Sequence, residues 1–300
     1  MRKEYVMLIV TTFIWGSGHP IIKLILADLT PIQISMLSSA LGASAVAIGL
    51  IVTKQVRNLA QLRGRGLLLA LVSGTIMFFL YPMLSFSALQ RIPASTNSIL
   101  VATSTIFVAL LAPVFLKERM DSKGTVAVVL SFVGVVLVVL STGGQSTDLS
   151  SLNVFGCSLS LLGAIAAASY AIIGRRLMSA YDALSVTLVG SLLGAILLTV
   201  VVAVTSGFNQ LAHVSSLNYA LMAYWGIFSG LAYVMFYYCL KRLEATKASS
   251  FIYLSPFFAV TLSIAILGEK MTVLFLAGMA LVLVGIWGAQ RSKSLSSATS

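Results

Sequence analysis

The sequence predicts an all-α membrane protein of ten transmembrane helices, arranged as two inverted five-helix repeats. Three observations carry this expectation: an apolar composition, a lopsided charge map, and an echo between "LAPVFLKERM" (111–120) and "SIAILGEKM" (263–271). Hydrophobic residues make up 59% of the 300 and charged residues 9%, and mean hydropathy is +1.03. Soluble domains carry roughly 45–50% apolar and about 25% charged residues. Folded in water, this chain would expose apolar surface on a scale that water does not tolerate. A lipid bilayer is the partner its composition asks for.

A membrane helix needs about 20 mostly apolar residues, whereas a barrel strand spans in about 9–11 that alternate in polarity. Ten segments meet the helical length: 5–27, 32–53, 66–89, 93–116, 123–142, 153–174, 184–205, 217–240, 246–267 and 272–290. Connections are short, so no soluble domain fits between spans. The first run, Tyr5 to Ala27, lacks a small-residue cleavage site and is long enough to span. It reads as a retained helix and not as a signal peptide.

The net charge of +11 sits at helix ends and forms no basic face, which excludes a nucleic-acid partner. With the N-terminus in the cytoplasm, sixteen Lys and Arg fall inside and three (Lys23, Arg91 and Lys270) outside. That is the positive-inside pattern for short loops. It places both termini in the cytoplasm of a multi-pass protein in the cell membrane (inner or plasma). Cys157 and Cys239 form no CxxC and lie in separate spans, so neither a disulfide framework nor a metal site is indicated. No cofactor is expected.

Adding 151 to positions 89–120 gives 240–271, and ten of these 32 aligned pairs are identical. They include Arg91/Arg242, Ser98/Ser249, Phe107/Phe258, Glu118/Glu269 and Met120/Met271. The same offset pairs Gly134 with Gly285, and one residue off register "SALGA" (39–43) meets "SLLGA" (191–195). Charged end-points in register favour an internal repeat over shared apolar composition. Five spans per half is an odd number, so the halves are inverted relative to one another, as in many secondary transporters. The expected units are 4–142 and 153–290, followed by a short cytoplasmic tail, 291–300. Glu118 then ends span four inside and Glu269 ends span nine outside. Each has a basic neighbour and reads as a structural ion pair.

Polar and proline residues within spans mark helix packing or a pathway. In span one, Trp15, His19 and Lys23 recur every four residues and share a face. Pro20 cannot donate to the carbonyl of Gly16, and a kink is expected there. Trp15 falls about 15 Å deep by helical rise, near mid-membrane. It is a cavity-lining candidate, with helix packing as the alternative. His19 is the only histidine within a span. Two readings stand for it: a neutral ring bonded to a backbone carbonyl freed by Pro20, or the group that couples transport to protons. Lys23 reads as a side chain snorkelling to the outer surface.

In span three Pro82 frees the carbonyl of Phe78, with Tyr81 beside it; in span nine Pro256 frees Ile252, with Tyr253 and Ser255 adjacent. Interrupted helices are the sequence pointer to a carrier's site. Tyr81, Asn97, Tyr170, Tyr233, Tyr237, Tyr253 and Ser255 are the further substrate-binding candidates, against ordinary aromatic packing or interface anchoring. Pro20, Pro82 and Pro256 are the candidate hinges.

The stretches "FIWGSGHPIIK", "ALQRIPAS", "CLKRLEATKAS" and "YLSPFFAVTLSIAILGEKM" resemble the EamA-type transporters of the drug/metabolite transporter superfamily, over about residues 4–290. The resemblance implies a carrier of two five-helix halves, monomeric with a homodimer as the alternative. It also implies a central cavity lined mainly by spans one, three, four, six, eight and nine. Many relatives carry an arginine in span two where this chain has "PIQISMLSSALGA", so no contact made by that arginine transfers.

The function expected is secondary transport of a small-molecule substrate by alternating access: an amino acid or related compound, moved outward. The alternatives are an uncoupled uniporter or uptake carrier for another small polar solute and, further off, a channel, a flippase or a membrane-embedded lipid-modifying enzyme. The last wants clustered acid, base or metal ligands, and His19 and His213 stand far apart with no in-span carboxylate. The chain reads as no enzyme.

Overall fold

The computed structural model describes residues 2–116, 122–142, 153–178, 180–240, 251 and 254–291. Glu118, Tyr253 and the tail from 292 lie outside these residues, and only the backbone of Tyr237 is described. All regular structure among the described residues is helical. The helices are α1 (Arg2–Ile25), α2 (Pro31–Val52), α3 (Gly64–Gly74), α4 (Tyr81–Leu89), α5 (Ala94–Ala102), α6 (Ser104–Leu116) and α7 (Ser122–Ser141). They continue as α8 (Val154–Met178), α9 (Ala183–Thr205), α10 (Ser216–Leu240), α11 (Leu254–Leu267) and α12 (Val273–Arg291). A π-helical segment, Thr75–Leu80, joins α3 to α4.

Seven helical stretches are long and apolar enough to cross a membrane, Gly64–Leu89 among them; Ala94–Val108, Leu254–Leu267 and Val273–Gly288 are shorter apolar helices. Their exposed faces fit lipid. Leu192, Ile196, Val200 and Val204 recur every four residues along α9 and are all exposed, and Val126, Val129, Val133 and Val136 form a second such stripe on α7. This is a multi-pass membrane protein.

Helix ends carry the expected chemistry. Thr30 and Gln33 form a reciprocal capping box with Pro31 at the first helical position of α2, which satisfies two otherwise orphan donors. Asp182 caps α9 through Ser185 N at 2.9 Å. Gly268, at φ +64°, ends α11. A side chain there would be strained, and the turn carries Glu269 towards α5.

Between helices, glycines let backbones meet. A Cβ on Gly230 of α10 would fall 2.8 Å from Gly42 O of α2, and one on Gly190 of α9 would fall 2.8 Å from Gly74 Cα of α3. A Cβ on Gly134 of α7 would fall 2.7 Å from Gly278 O of α12, where Ser131 Oγ also donates to Val282 O at 3.3 Å. In lipid, where apolar surface is no driving force between helices, such close approach supplies the dispersion contact that holds them.

The hinge residues lie as follows. α1 runs unbroken through Pro20. Pro82 stands in the first turn of α4, directly after the π segment, and the carbonyl it frees, Phe78 O, accepts Ser39 Oγ from α2 at 2.8 Å. Pro256 stands in the first turn of the described α11. Among the described residues, a break that the sequence does not announce falls at Thr103, between α5 and α6, where the hydroxyl bonds back to Leu100 O.

Candidate functional site

"WGSGHP" (15–20) builds the site. Its two glycines are contact surfaces on different neighbours. A Cβ on Gly16 would meet Phe258 Cβ at 2.8 Å and Ala259 N at 3.2 Å on α11, and one on Gly18 would strike the Trp225 ring of α10. Between them Ser17 Oγ pairs with Tyr224 Oη at 3.0 Å. α1 is thereby pinned on two sides, and Trp15 and His19 project along a third face.

From that face two tiers form, one helical turn apart. The first is aromatic. Trp15 lies 5.2 Å from Tyr233 and 5.3 Å from Phe236, centroid to centroid. Phe78 lies 5.7 Å from Tyr233 and 6.2 Å from Tyr170, both edge-on, and Tyr81 packs in the same cluster. These separations and tilts are the favourable ones for ring quadrupoles. Trp15 Nε1 is buried and has no hydrogen-bond partner among the described residues, a cost that a ligand acceptor would relieve.

The second tier is polar. Asn97 Nδ2 meets His19 Nδ1 at 3.0 Å and Ser85 Oγ at 3.1 Å, while Ser160 Oγ donates to Asn97 Oδ1. Asn97, Ser85 and Ser160 are buried, whereas the His19 ring is half-buried. Four helices, α1, α4, α5 and α8, each contribute one side chain. Of the two readings of His19, the described bond is to a side chain and not to a backbone carbonyl.

Beyond the polar tier, the turn from α4 to α5 is clasped from both ends. Lys23 Nζ donates to Leu89 O and, at 2.9 Å, to Ile92 O. Glu269 accepts Ala94 N at 2.6 Å and Ser95 N at 3.1 Å, together with the Ser95 hydroxyl. The carboxylate therefore caps a helix N-terminus, where both the orphan N–H groups and the helix dipole favour a negative charge.

The sequence-derived candidates thus divide. Trp15, Tyr81, Tyr170 and Tyr233 come together in the aromatic tier, and His19 and Asn97 in the polar one. Ser255 meets α1 through its backbone oxygen, against Gly16. Phe78, Phe236, Ser85 and Ser160 are members that sequence reasoning missed. Phe78 had a signal, since its carbonyl is the one Pro82 frees; the two serines had none.

A profile of the EamA-like transporter family matches residues 2–140 and 154–289. The chain belongs to the EamA-like transporter family. A curated "Uncharacterized transporter" of Archaeoglobus fulgidus is 27% identical over 296 residues, covering 97% of this chain and 100% of its own. "Uncharacterized transporter YyaM" of Bacillus subtilis is 26% identical over 94% of this chain and 92% of its own. A "Probable terminal-alkyne amino-acid exporter" of Streptantibioticus cattleyicolor is 27% identical over 95% of this chain and 93% of its own. A solved crystal structure superposes with a TM-score of 0.70 over 99% of both chains at 16% identity, which shows a shared fold. This EamA-family protein is accordingly a membrane transporter and not an enzyme.

Proposed function

We propose that the protein is a secondary carrier that moves a small metabolite, an amino acid or related compound, outward across the cell membrane by alternating access. Two inverted five-helix halves, residues 4–142 and 153–290, would rock about the two-tiered site, with both termini in the cytoplasm. The observation that carries this reading is that both halves build the site: Ser160 of the second half bonds Asn97 of the first, and Tyr233 packs on Trp15. The inverted repeat is supported by the α7–α12 contact, where Ser131 and Val282 are bonded partners 151 positions apart and Gly134 packs on that same helix. An aromatic tier beside a neutral polar one suits a zwitterion with an apolar side chain, since buried polar groups discriminate strongly among ligands that match their hydrogen bonds. The exporter among the relatives accords with this substrate class and direction.

Reconstitution in liposomes with a screen of labelled amino acids and nucleobases tests the proposal. Accumulation or exchange above empty vesicles is expected for at least one solute, and none for any would contradict it. His19 is assigned the coupling proton, so His19→Gln should abolish uptake driven by a pH gradient and spare exchange. The second reading, an uncoupled uniporter, is favoured by a specific feature: Asn97 satisfies a neutral His19. Undiminished pH-driven uptake in His19→Gln would exclude His19 as the coupling group; transport indifferent to pH gradients in the native protein would select the uniporter.

A further inference from the structure

Asn97 is the hub of the polar tier, and the orientation of its amide decides whether Nδ1 of His19 accepts or donates. The amide nitrogen reaches His19 Nδ1 and Ser85 Oγ at 3.0 and 3.1 Å, and the amide oxygen receives the Ser160 hydroxyl. An amide nitrogen only donates, and it has two protons to give. With the amide in this orientation both are committed, so Nδ1 of the ring is an acceptor and a neutral ring carries its proton on Nε2. Nε2 itself has no hydrogen-bond partner among the described residues, and the ring retains partial exposure. It is the donor that the tier offers to an acceptor atom, such as a carboxylate or carbonyl oxygen.

The same four groups admit a second arrangement. Turning the amide through 180° exchanges its oxygen and nitrogen with almost no movement of other atoms. The oxygen then accepts Nδ1–H of a protonated ring and the hydroxyl of Ser85, while the nitrogen donates to Ser160 Oγ. Hydroxyl protons rotate freely enough to follow. All three contacts survive, and the tier holds one more proton. We propose that Asn97 is the positioning residue of this carrier: one orientation of its amide selects the Nε2–H tautomer of His19, and the reversed one accommodates the imidazolium. The proposal rests on the carrier reading for its purpose, but not for its geometry.

Few other groups compete for the proton. Of the elements packed against α1, α5 and α11 carry no titratable side chain, α4 carries Tyr81, and α10 carries tyrosines, with Tyr224 and Tyr233 against Ser17 and Trp15, and Cys239 against Glu4 at the start of α1. Helix α8, which brings Ser160, carries no Asp or Glu; its titratable and charged residues are Cys157, Tyr170, Arg175 and Arg176. Among the charged groups, Lys23 lies one turn along α1 from His19, and Glu269 holds the other end of the turn that Lys23 binds.

The experiment is nitrogen-15 NMR of ring-labelled histidine in lipid nanodiscs, on a His213→Gln background that leaves His19 the only histidine. Nitrogen shifts report which ring nitrogen is protonated without any need for transport. The neutral native site should show the Nε2–H tautomer as its dominant form. Asn97→Asp is isosteric but can only accept; it should bring the proton to Nδ1 and raise the titration midpoint by about 1–3 pH units, as a neighbouring carboxylate does. Ser160→Ala removes the bond that orients the amide and should yield mixed tautomers. A dominant Nδ1–H form in the native site, or an Asn97→Asp midpoint equal to the native one, overturns the proposal. Absence of transport with the expected tautomers would instead count against the carrier reading alone.

Discussion

Lys23 and Glu269 hold opposite ends of one turn. The ammonium takes the carbonyls of Leu89 and Ile92 as α4 closes, and the carboxylate takes the amides of Ala94 and Ser95 as α5 opens. Each charge meets the end of a helix whose dipole favours it. Lys23 belongs to α1 and Glu269 to the turn between α11 and α12, so the clasp ties residues from opposite ends of the sequence to one turn beyond the polar tier.

Glu269→Ala leaves the Ala94 and Ser95 amides without their carboxylate. Loss of about 1–3 kcal/mol is expected for hydrogen bonds to a charged group, and Glu269→Gln, which keeps one acceptor oxygen, should recover part of it. Denaturant titration of the purified protein in detergent measures both. An unchanged Glu269→Ala midpoint would show that the clasp does not contribute.

Asp28 links the end of α1 to the start of α10. It accepts Ser215 N at 2.9 Å and Asn218 Nδ2 at 2.8 Å, and the Ser215 amide, followed by Asn218, holds its carboxyl below the usual carboxylate range. A lowered folded value means the contribution is present above the unfolded value, about 4, and is lost as pH falls through the folded one. Thermal melts should therefore show Asp28→Asn less stable than the native protein near neutrality, with the gap closing in acid. A gap that is constant with pH would contradict this.

Trp15 packs on two rings of the aromatic tier, one helical turn from His19. Trp15→Ala removes two aromatic pairs, each worth about 0.5–1.5 kcal/mol beyond area, and should lower transport of the solute found in the liposome screen by about tenfold at low concentration. Trp15→Phe should lower it less. Equal activity of all three would place the substrate elsewhere.

The sequence made the helices legible because runs of about 20 apolar residues admit little else in a bilayer. At Pro82 and "WGSGHP" the packing is what the sequence does not show: Ser39 satisfies Phe78 O, and the glycines admit α11 and Trp225. Ser85 and Ser160 were invisible, since a serine in a span commonly bonds its own helix backbone, as Ser98 does with Ser95 O. Their role depends on Asn97, 12 and 63 positions away. Glu269 illustrates the same limit. Its neighbour in sequence suggested an ion pair, while its partners in space are amides 174 and 175 positions distant.

Alternating access is tested most directly by a single cysteine at position 233, in a chain whose Cys157 and Cys239 are replaced, probed in oriented proteoliposomes with membrane-impermeant thiol reagents. The account predicts labelling from either side, with transported solute changing the balance between the two. Labelling from one side alone, under every solute and pH condition, would contradict it.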